Sequence, residues 1–227
     1  MLFDHNSSSD EHESSTLLPL FGQPRMQGYL DVCGGDPGAA LQLYRWNTRA
    51  SGAFWETLSH LEVVLRNVLA SRLGERHAAA GRPGSWLDDP ARELDGRAHR
   101  DIAQARGRVR AKGKQPSDGQ TLSELGFGFW RFLLAKRYTS LWPALAGGFP
   151  HAPDRARATI EQPVINLHEF RNRLAHHERI WNQPLKDRHT DISALLGYVD
   201  IDLAGWVAES CRITTVLAEC PIERPHP

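Results

Sequence analysis

The chain has 227 residues, 41% of them hydrophobic, which is enough to bury the core of one large domain or of two small ones. Its 27 lysine and arginine residues balance 27 aspartate and glutamate residues, so the formal net charge is +0. This balance excludes a general polyanion binder, and any contact with nucleic acid has to come from a local basic surface.

The first 36 residues predict a disordered tail and a lead-in to the fold. Residues 1–16 are rich in Ser, Asp, Glu and His, a composition typical of disorder, so we interpret His5 and His12 as solvated and not as metal ligands. The chain does not start with a basic region followed by an apolar run, and it contains no stretch of 18 apolar residues. We therefore expect neither a signal peptide nor a membrane span.

The cysteines favour a cytoplasmic protein. Cys33, Cys211 and Cys220 are widely spaced and odd in number, and no two of them form a Cys-x-x-Cys pair. A zinc site or a disulfide framework needs closer or paired cysteines, so we predict neither. A reducing compartment is the simpler interpretation.

Apolar residues at helical spacing predict two helices in the first half of the chain. The chain turns at Asp36-Pro37-Gly38, and a helix is predicted over residues 39–73. Its buried face is formed by Phe54, Leu58, Leu61, Leu65 and Val68. A charged, exposed helix is predicted over residues 91–109.

Residues 106–114 predict a flexible basic loop. Cations occupy every second position with no acid among them, and Gly107 and Gly113 weaken a helix. Two interpretations stay open. The loop reaches for RNA phosphates through Arg108, Arg110 and Lys112, or it is merely solvated and self-repelling.

Three more helical regions complete an all-α architecture. One spans residues 122–145, with Thr121 or Ser123 as its cap and an aromatic face that is typical of a core. The next begins near residue 154, and a last helix spans residues 193–217 after a connection that includes residues 186–189. No run alternates as a strand does. The prediction is a single helical bundle of about four or five long helices over residues 37–218, followed by a tail over residues 219–227.

The segment 167–182, LHEFRNRLAHHERIWN, concentrates polar chemistry on a predicted helix. A stripe of apolar residues at helical spacing should face the core: Ile160, Val164, Leu167, Phe170 and Leu174. At about 100° per residue, Arg171 falls at the border of this stripe. His168, Asn172, His176 and Arg179 then follow one side of the helix.

Several short motifs, taken together, make the chain similar to a known protein family. Arg171-Asn172-Arg173-Leu174-Ala175-His176 has the form R-N-x-x-A-H, and Leu61-Glu62 and Leu65-Arg66-Asn67 lie upstream of it. Between these upstream motifs and Arg171 lie Phe127-Gly128-Phe129-Trp130 and Leu141-Trp142. With these motifs, residues 41–211 resemble the Abi-like (AbiD/AbiF-type) branch of the HEPN superfamily. Arg72 and His77 have the same spacing as Arg171 and His176, but they lack the following Asn and are interpreted as an accidental match.

The resemblance implies a function and an assembly. HEPN proteins of this kind are commonly metal-independent endoribonucleases, and the matching positions make Arg171 and His176 the catalytic pair, with Asn172 as the polar residue after the Arg. Family members typically dimerise through the motif helices, so a homodimer is expected. The implied setting is phage defence by abortive infection or as a toxin-antitoxin pair, with RNA as substrate and an antitoxin or guide RNA as a further partner.

The residue types suit the same chemistry. An imidazole such as that of His176 transfers protons near neutral pH, and the guanidinium of Arg171 fits a phosphate bidentately. Asn172 can orient the histidine or hold the phosphate, and Arg179 is a candidate second phosphate contact. These roles need no metal and no cofactor.

Alternatives remain at two levels. Glu62 and Arg66 are four residues apart in the order that favours an ion pair on a helix surface, so they either stabilise their own helix or, with Asn67, support Arg171.

At the level of function, the competing hypothesis is a catalytically inert HEPN module that binds RNA or a protein partner. A nucleotide-modifying enzyme is less well supported, because the chain has no glycine-rich phosphate loop.

Overall fold

The computed structural model describes residues 16–222, and all regular structure in this range is helical, which confirms the all-α class. The predictions for residues 1–15, with His5 and His12, and for residues 223–227 lie outside the described residues. Residues 16–21 are helical, and short 3-10 helices occupy Trp86–Asp88, Lys136–Tyr138 and Ala146–Gly148. The α-helices that follow are α1 Gln23–Val32, α2 Pro37–Ala79, α3 Gly96–Ala111, α4 Asp118–Glu124, α5 Phe127–Leu133, α6 Trp142–Leu145, α7 Arg157–Ala175, α8 Leu185–Val199, α9 Ile201–Ser210 and α10 Ile213–Ala218.

The described residues divide into two compact units. The first unit contains the residues up to Glu56, together with Arg173–Leu185 and the residues from Cys211 onward. The second unit contains Thr57–Asn172 and Lys186–Ser210. Helices α2 and α7 contribute residues to both units. The predicted extent of one domain, residues 37–218, stays a prediction.

Helix α2 confirms the predicted first helix and exceeds it at both ends. Asp36 caps it, because its Oδ1 accepts hydrogen bonds from Gly38 N at 2.8 Å and Ala39 N at 3.1 Å, and Pro37 occupies the first helical position. Four residues of the predicted stripe, Phe54, Leu58, Leu61 and Leu65, are buried with no more than 1% exposure, whereas the fifth, Val68, is only partly buried. Gly74 does not end the helix, which continues to Ala79.

The lead-in contains a helix that the sequence analysis did not predict. In α1, Met26 and Tyr29 are only 1% and 2% exposed, so this helix belongs to the core of the first unit. In the same unit, Trp46 Nε1 donates to Val216 O at 2.7 Å, and Asn47 Oδ1 accepts from Ile180 N at 2.8 Å. These buried bonds satisfy polar groups that would otherwise be costly to bury.

The predicted helix over residues 122–145 is wrong as one element. Helix α4 begins earlier, where Ser117 and Gln120 form a capping box, and neither Thr121 nor Ser123 caps it. Leu125 and Gly126 are both extended, and Gly126 is the N-cap residue of α5, so the helix is interrupted at these two residues. Most of the predicted apolar face is nevertheless core, because Phe129, Trp130, Leu133, Leu134 and Leu141 are at most 5% exposed. Its last residue, Trp142, is only partly buried.

The last predicted helix is also divided. Residues 186–189 do not form a connection, because α8 starts at Leu185 directly after Pro184. Asp200 lies between α8 and α9, and Asp200 Oδ1 accepts from Leu203 N at 2.8 Å, which begins a new helix. Two apolar residues of α9, Ile201 and Trp206, are 64% and 60% exposed.

Candidate functional site

Helix α7 carries the motif as far as Ala175, and its predicted apolar stripe is confirmed. Ile160, Val164, Leu167, Phe170 and Leu174 are all at most 4% exposed. Pro163 lies inside the helix and removes one backbone donor without ending it. With the stripe buried, Arg171 and Asn172 lie at its border and are partly exposed.

The helix ends earlier than predicted, so His176, His177 and Arg179 do not lie on it. Glu178 N donates to Arg173 O at 2.9 Å and His177 N donates to Leu174 O at 3.1 Å. His177 has φ 53°, the left-handed conformation. These two bonds and this conformation form a Schellman motif, which terminates helices. The predicted placement of His176 and Arg179 along one side of the helix is therefore wrong.

In the first unit, the residues after the helix are held by α1. Arg25 Nη1 donates to His177 O at 2.6 Å. A Cβ atom added to Gly28 would lie 1.7 Å from Arg179 Nη1, so the guanidinium of Arg179 rests directly on the α1 backbone. His176 itself is exposed. Arg179, which was predicted to contact RNA, is exposed but also has this packing role.

In the second unit, Glu62 binds Arg171. Arg171 Nε donates to Glu62 Oε1 at 3.0 Å, and the two side chains are 30% and 25% exposed. Within the described residues, Glu62 forms no ion pair with Arg66, although their spacing allows one. Arg66 Nε instead donates to Asn67 Oδ1 at 3.5 Å, a weak bond. Of the three proposed supporting residues, Glu62 is the one that the structure brings to Arg171.

The basic segment is helical, so the prediction of a flexible loop over residues 106–114 is wrong as far as Ala111. Helix α3 continues through Gly107, with Ala98, Ile102, Ala105 and Val109 buried along one face. Lys112 caps this helix, and Gly113 has φ +72°. A one-sided apolar face outweighs the cost of a helical glycine, which is about 1 kcal/mol.

Two of the three candidate RNA-binding cations in this segment bind an acid of the protein. Arg108 Nε donates to Glu124 Oε2 at 3.1 Å, and Lys112 also pairs with Glu124. The Lys112 ammonium, and next the Arg108 guanidinium, lower the pKa of the Glu124 carboxyl. Arg110 is exposed, and in the part of the chain that the structure describes no acid pairs with it.

The accidental match at Arg72 and His77 has a structural role. Arg72 pairs with Glu75 at 2.9 Å, and His77 is 6% exposed with Nε2 at 3.2 Å from Pro83 O. A buried histidine bonded to a backbone carbonyl closes the loop after α2. Its environment differs from that of the exposed His176.

A group of side chains that the sequence did not predict lies beside His168. Phe127 and Phe132 of α5 contact the His168 ring, and Arg131 and Arg97 lie against Phe132. The signal in the sequence was Arg131 inside the aromatic run Phe129-Trp130-Arg131-Phe132, where a cation is unusual among core residues.

Comparisons with known proteins leave the family undecided. No family model matches this chain. No curated protein and no solved structure matches it either. Between residues 16 and 222, no helix combines the length and apolar character that crossing a membrane requires. In the same range, no group of three or more His, Cys, Asp or Glu side chains is arranged to hold a metal ion.

Proposed function

We propose that this protein is a metal-independent endoribonuclease of the Abi-like HEPN type. The observation that carries the proposal is the Glu62–Arg171 ion pair at 3.0 Å. It fixes the guanidinium of the motif arginine on α7, and a fixed fork of donors is what a phosphate site needs. The motif histidine, His176, is exposed just after the same helix, where a substrate can reach it.

The proposed reaction uses the RNA's own 2′-hydroxyl. A base takes the 2′ proton while O2′ attacks phosphorus, the bond from phosphorus to O5′ breaks, and an acid gives a proton to O5′. The products are a 2′,3′-cyclic phosphate and a 5′-hydroxyl. Arg171 neutralises charge on the phosphate oxygens, Asn172 orients the histidine or holds the phosphate, and His176 carries a proton.

One chain offers one motif histidine, and the reaction needs both a base and an acid. We therefore propose a homodimer in which the motif helices of two HEPN-like bundles meet, so that His176 of the partner subunit completes the site. The biological setting proposed with it is cytoplasmic phage defence, by abortive infection or as a toxin-antitoxin pair. An antitoxin or guide RNA would then control access to the RNA substrate.

The test is cleavage of a mixed RNA pool in EDTA by the wild type and by Arg171→Ala and His176→Ala. Both variants should lose cleavage by a factor of order 10² or more, with 2′,3′-cyclic ends on the wild-type products. Arg173→Ala and His151→Ala are the matched controls, since both residues are exposed and neither has a proposed role.

RNA affinity measured beside cleavage separates this proposal from its alternative. A nuclease with His176→Ala should still bind RNA. A folded wild type that binds RNA and cuts none of it would be an inert binding module, and cleavage that survives in both variants would remove Arg171 and His176 from the chemistry.

A further inference from the structure

His168 lies one helical turn before Arg171 and packs against α5 within the second unit. Its ring centroid is 5.9 Å from that of Phe127 and 6.5 Å from that of Phe132. A Cβ atom added to Gly128 would lie 3.1 Å from His168 Nε2, so glycine at this position allows the imidazole to approach the α5 backbone closely. The side chain is partly exposed.

Two arginines share the ring of Phe132. The Cζ atom of Arg97 lies 3.4 Å from the ring centroid, and that of Arg131 lies 4.4 Å from it. Both distances allow the attraction between a cation and an aromatic ring. This attraction holds two like charges near each other, but it does not neutralise them.

In the described residues, the positive charge of Arg131 is not paired with a carboxylate. Asp101 Oδ2 is 3.9 Å from Arg97 Nε, at the limit of an ion pair, and Glu62 is bound to Arg171. Over residues 16–222, Arg131 has no ion-pair partner, and its buried Nε has no hydrogen-bond acceptor. A guanidinium that no carboxylate neutralises can take an anionic ligand instead, through its two terminal nitrogens.

The charges around His168 agree with this interpretation. Burial lowers the pKa of His168, and Arg131 and Arg171 lower it further. Glu169 acts in the opposite direction, and Arg97 lowers the pKa again. The imidazole is therefore harder to protonate than a free histidine, and its neutral form can donate an N–H to a phosphate oxygen without adding to the local positive charge.

We propose that Arg97, Arg131 and His168 bind a backbone phosphate of RNA, next to the phosphate that Arg171 holds. Guanidinium groups bind phosphate oxygens bidentately, and the imidazole N–H of His168 can donate a further hydrogen bond to the same group. The subsite rests on the proposed function, because it takes the same RNA that the motif would cleave.

The test measures binding without cleavage. The probe is a short, fluorescein-labelled RNA with 2′-O-methyl groups, which cannot be cut by 2′-hydroxyl attack, and its affinity is measured by anisotropy at several salt concentrations. Arg131→Gln and Arg97→Gln should each weaken binding about tenfold and reduce the slope of log affinity against log salt by about one. Arg155→Gln removes the same charge from an exposed residue outside the cluster and is the matched control.

Two results would overturn the subsite. The first is that Arg131→Gln and Arg97→Gln bind the probe with the same affinity as Arg155→Gln. The second is that the wild type does not bind the probe. Urea unfolding shows whether each variant is folded, and Arg97, whose side chain is 48% exposed, tolerates substitution best. If the wild type binds the probe through these residues but cleaves no RNA, the proposed nuclease fails while the subsite stands.

Discussion

At residue scale, Glu62 and Arg171 form the contact on which the proposed chemistry depends. Glu62→Gln keeps the size of the side chain but removes its charge, so the guanidinium of Arg171 is held less firmly. We expect RNA cleavage to fall about tenfold and the free energy of unfolding to fall by about 1 kcal/mol or less, because the pair is partly exposed. Cleavage assays and urea unfolding measure the two effects.

The matched control for this prediction is Glu75→Gln. It breaks the ion pair of Glu75 with Arg72, which is 2.9 Å long against 3.0 Å for Glu62 and Arg171 but more exposed, with 53% and 35% of the two side chains accessible. Cleavage that falls equally in both variants would mean that Glu62 has no special role in positioning Arg171.

Asp95 makes the stability of the second unit dependent on pH. Its carboxylate accepts a hydrogen bond from Ala98 N at 2.9 Å at the start of α3 and pairs with Arg137. The bond from Ala98, and then those from Arg137 and Tyr138 against the opposing effect of burial, lower the pKa of Asp95 to about 2. Because the folded pKa lies below the unfolded value, the carboxylate stabilises the fold above about pH 4 and this contribution is lost as the pH falls towards 2.

Asp95→Asn tests this prediction, because asparagine still caps a helix but has no charge. Allowing for partial exposure, we expect the variant to be less stable by about 1 kcal/mol at pH 7 and equal to the wild type near pH 2. Denaturant unfolding at both pH values measures it, with Asp154→Asn as the control, since the Asp154 carboxylate also accepts a hydrogen bond from a backbone N–H, that of Ala156 at 2.9 Å. A deficit that persists unchanged near pH 2 would show that the charge is not its cause.

At the scale of elements, the sequence predicts buried faces well and helix ends poorly. The stripe from Ile160 to Leu174 is buried because its spacing follows the helical period, which sequence records directly. The end of α7 depends on His177 adopting a left-handed conformation, and no glycine marks that position. The Glu62–Arg171 contact joins residues 109 positions apart, and no local spacing predicts a contact of that kind. Spacing along one helix favours Arg66, four positions after Glu62, as its partner instead.

Helix α3 shows how tertiary burial overrides local propensity. The sequence predicts a loop after Arg106 because two glycines weaken a helix, but the apolar residues Ile102 and Val109 are buried and keep the segment helical past Gly107. A Cβ atom at Gly107 would meet nothing within 4 Å. Gly113, in contrast, has φ +72° and occupies a conformation that other residues avoid.

Substitution of the two glycines by alanine should have opposite effects. Gly107→Ala should stabilise the protein by about 0.5–1 kcal/mol through helix propensity and a less flexible unfolded chain. Gly113→Ala should destabilise it by about 1 kcal/mol, because alanine is strained at positive φ. Thermal or urea unfolding measures both, and a destabilising Gly107→Ala would contradict the helical assignment of this segment.

At the scale of the whole molecule, equal numbers of acids and cations mean that the proposed RNA substrate would have to be recognised by a local surface. The 27 cations are matched by 27 acids, and Arg106, Arg108 and Lys112 are already paired with acids. A site of this kind neutralises few phosphates, so affinity should depend only moderately on salt. The proposed site also requires two copies of the chain, which makes its activity depend on assembly.

Mixing wild type with inactive His176→Ala tests that dependence. If a cleft needs both motif histidines, mixed dimers are inactive, and after chain exchange at equal amounts the activity per wild-type chain should fall to about half. With a ninefold excess of the variant it should fall to about a tenth, since few wild-type chains then meet each other. The active variant His151→Ala, mixed in the same ratios, should cause no such fall. Activity per wild-type chain that stays constant at every ratio of His176→Ala would show that each chain acts alone, and sedimentation velocity on the same mixtures would show whether dimers form.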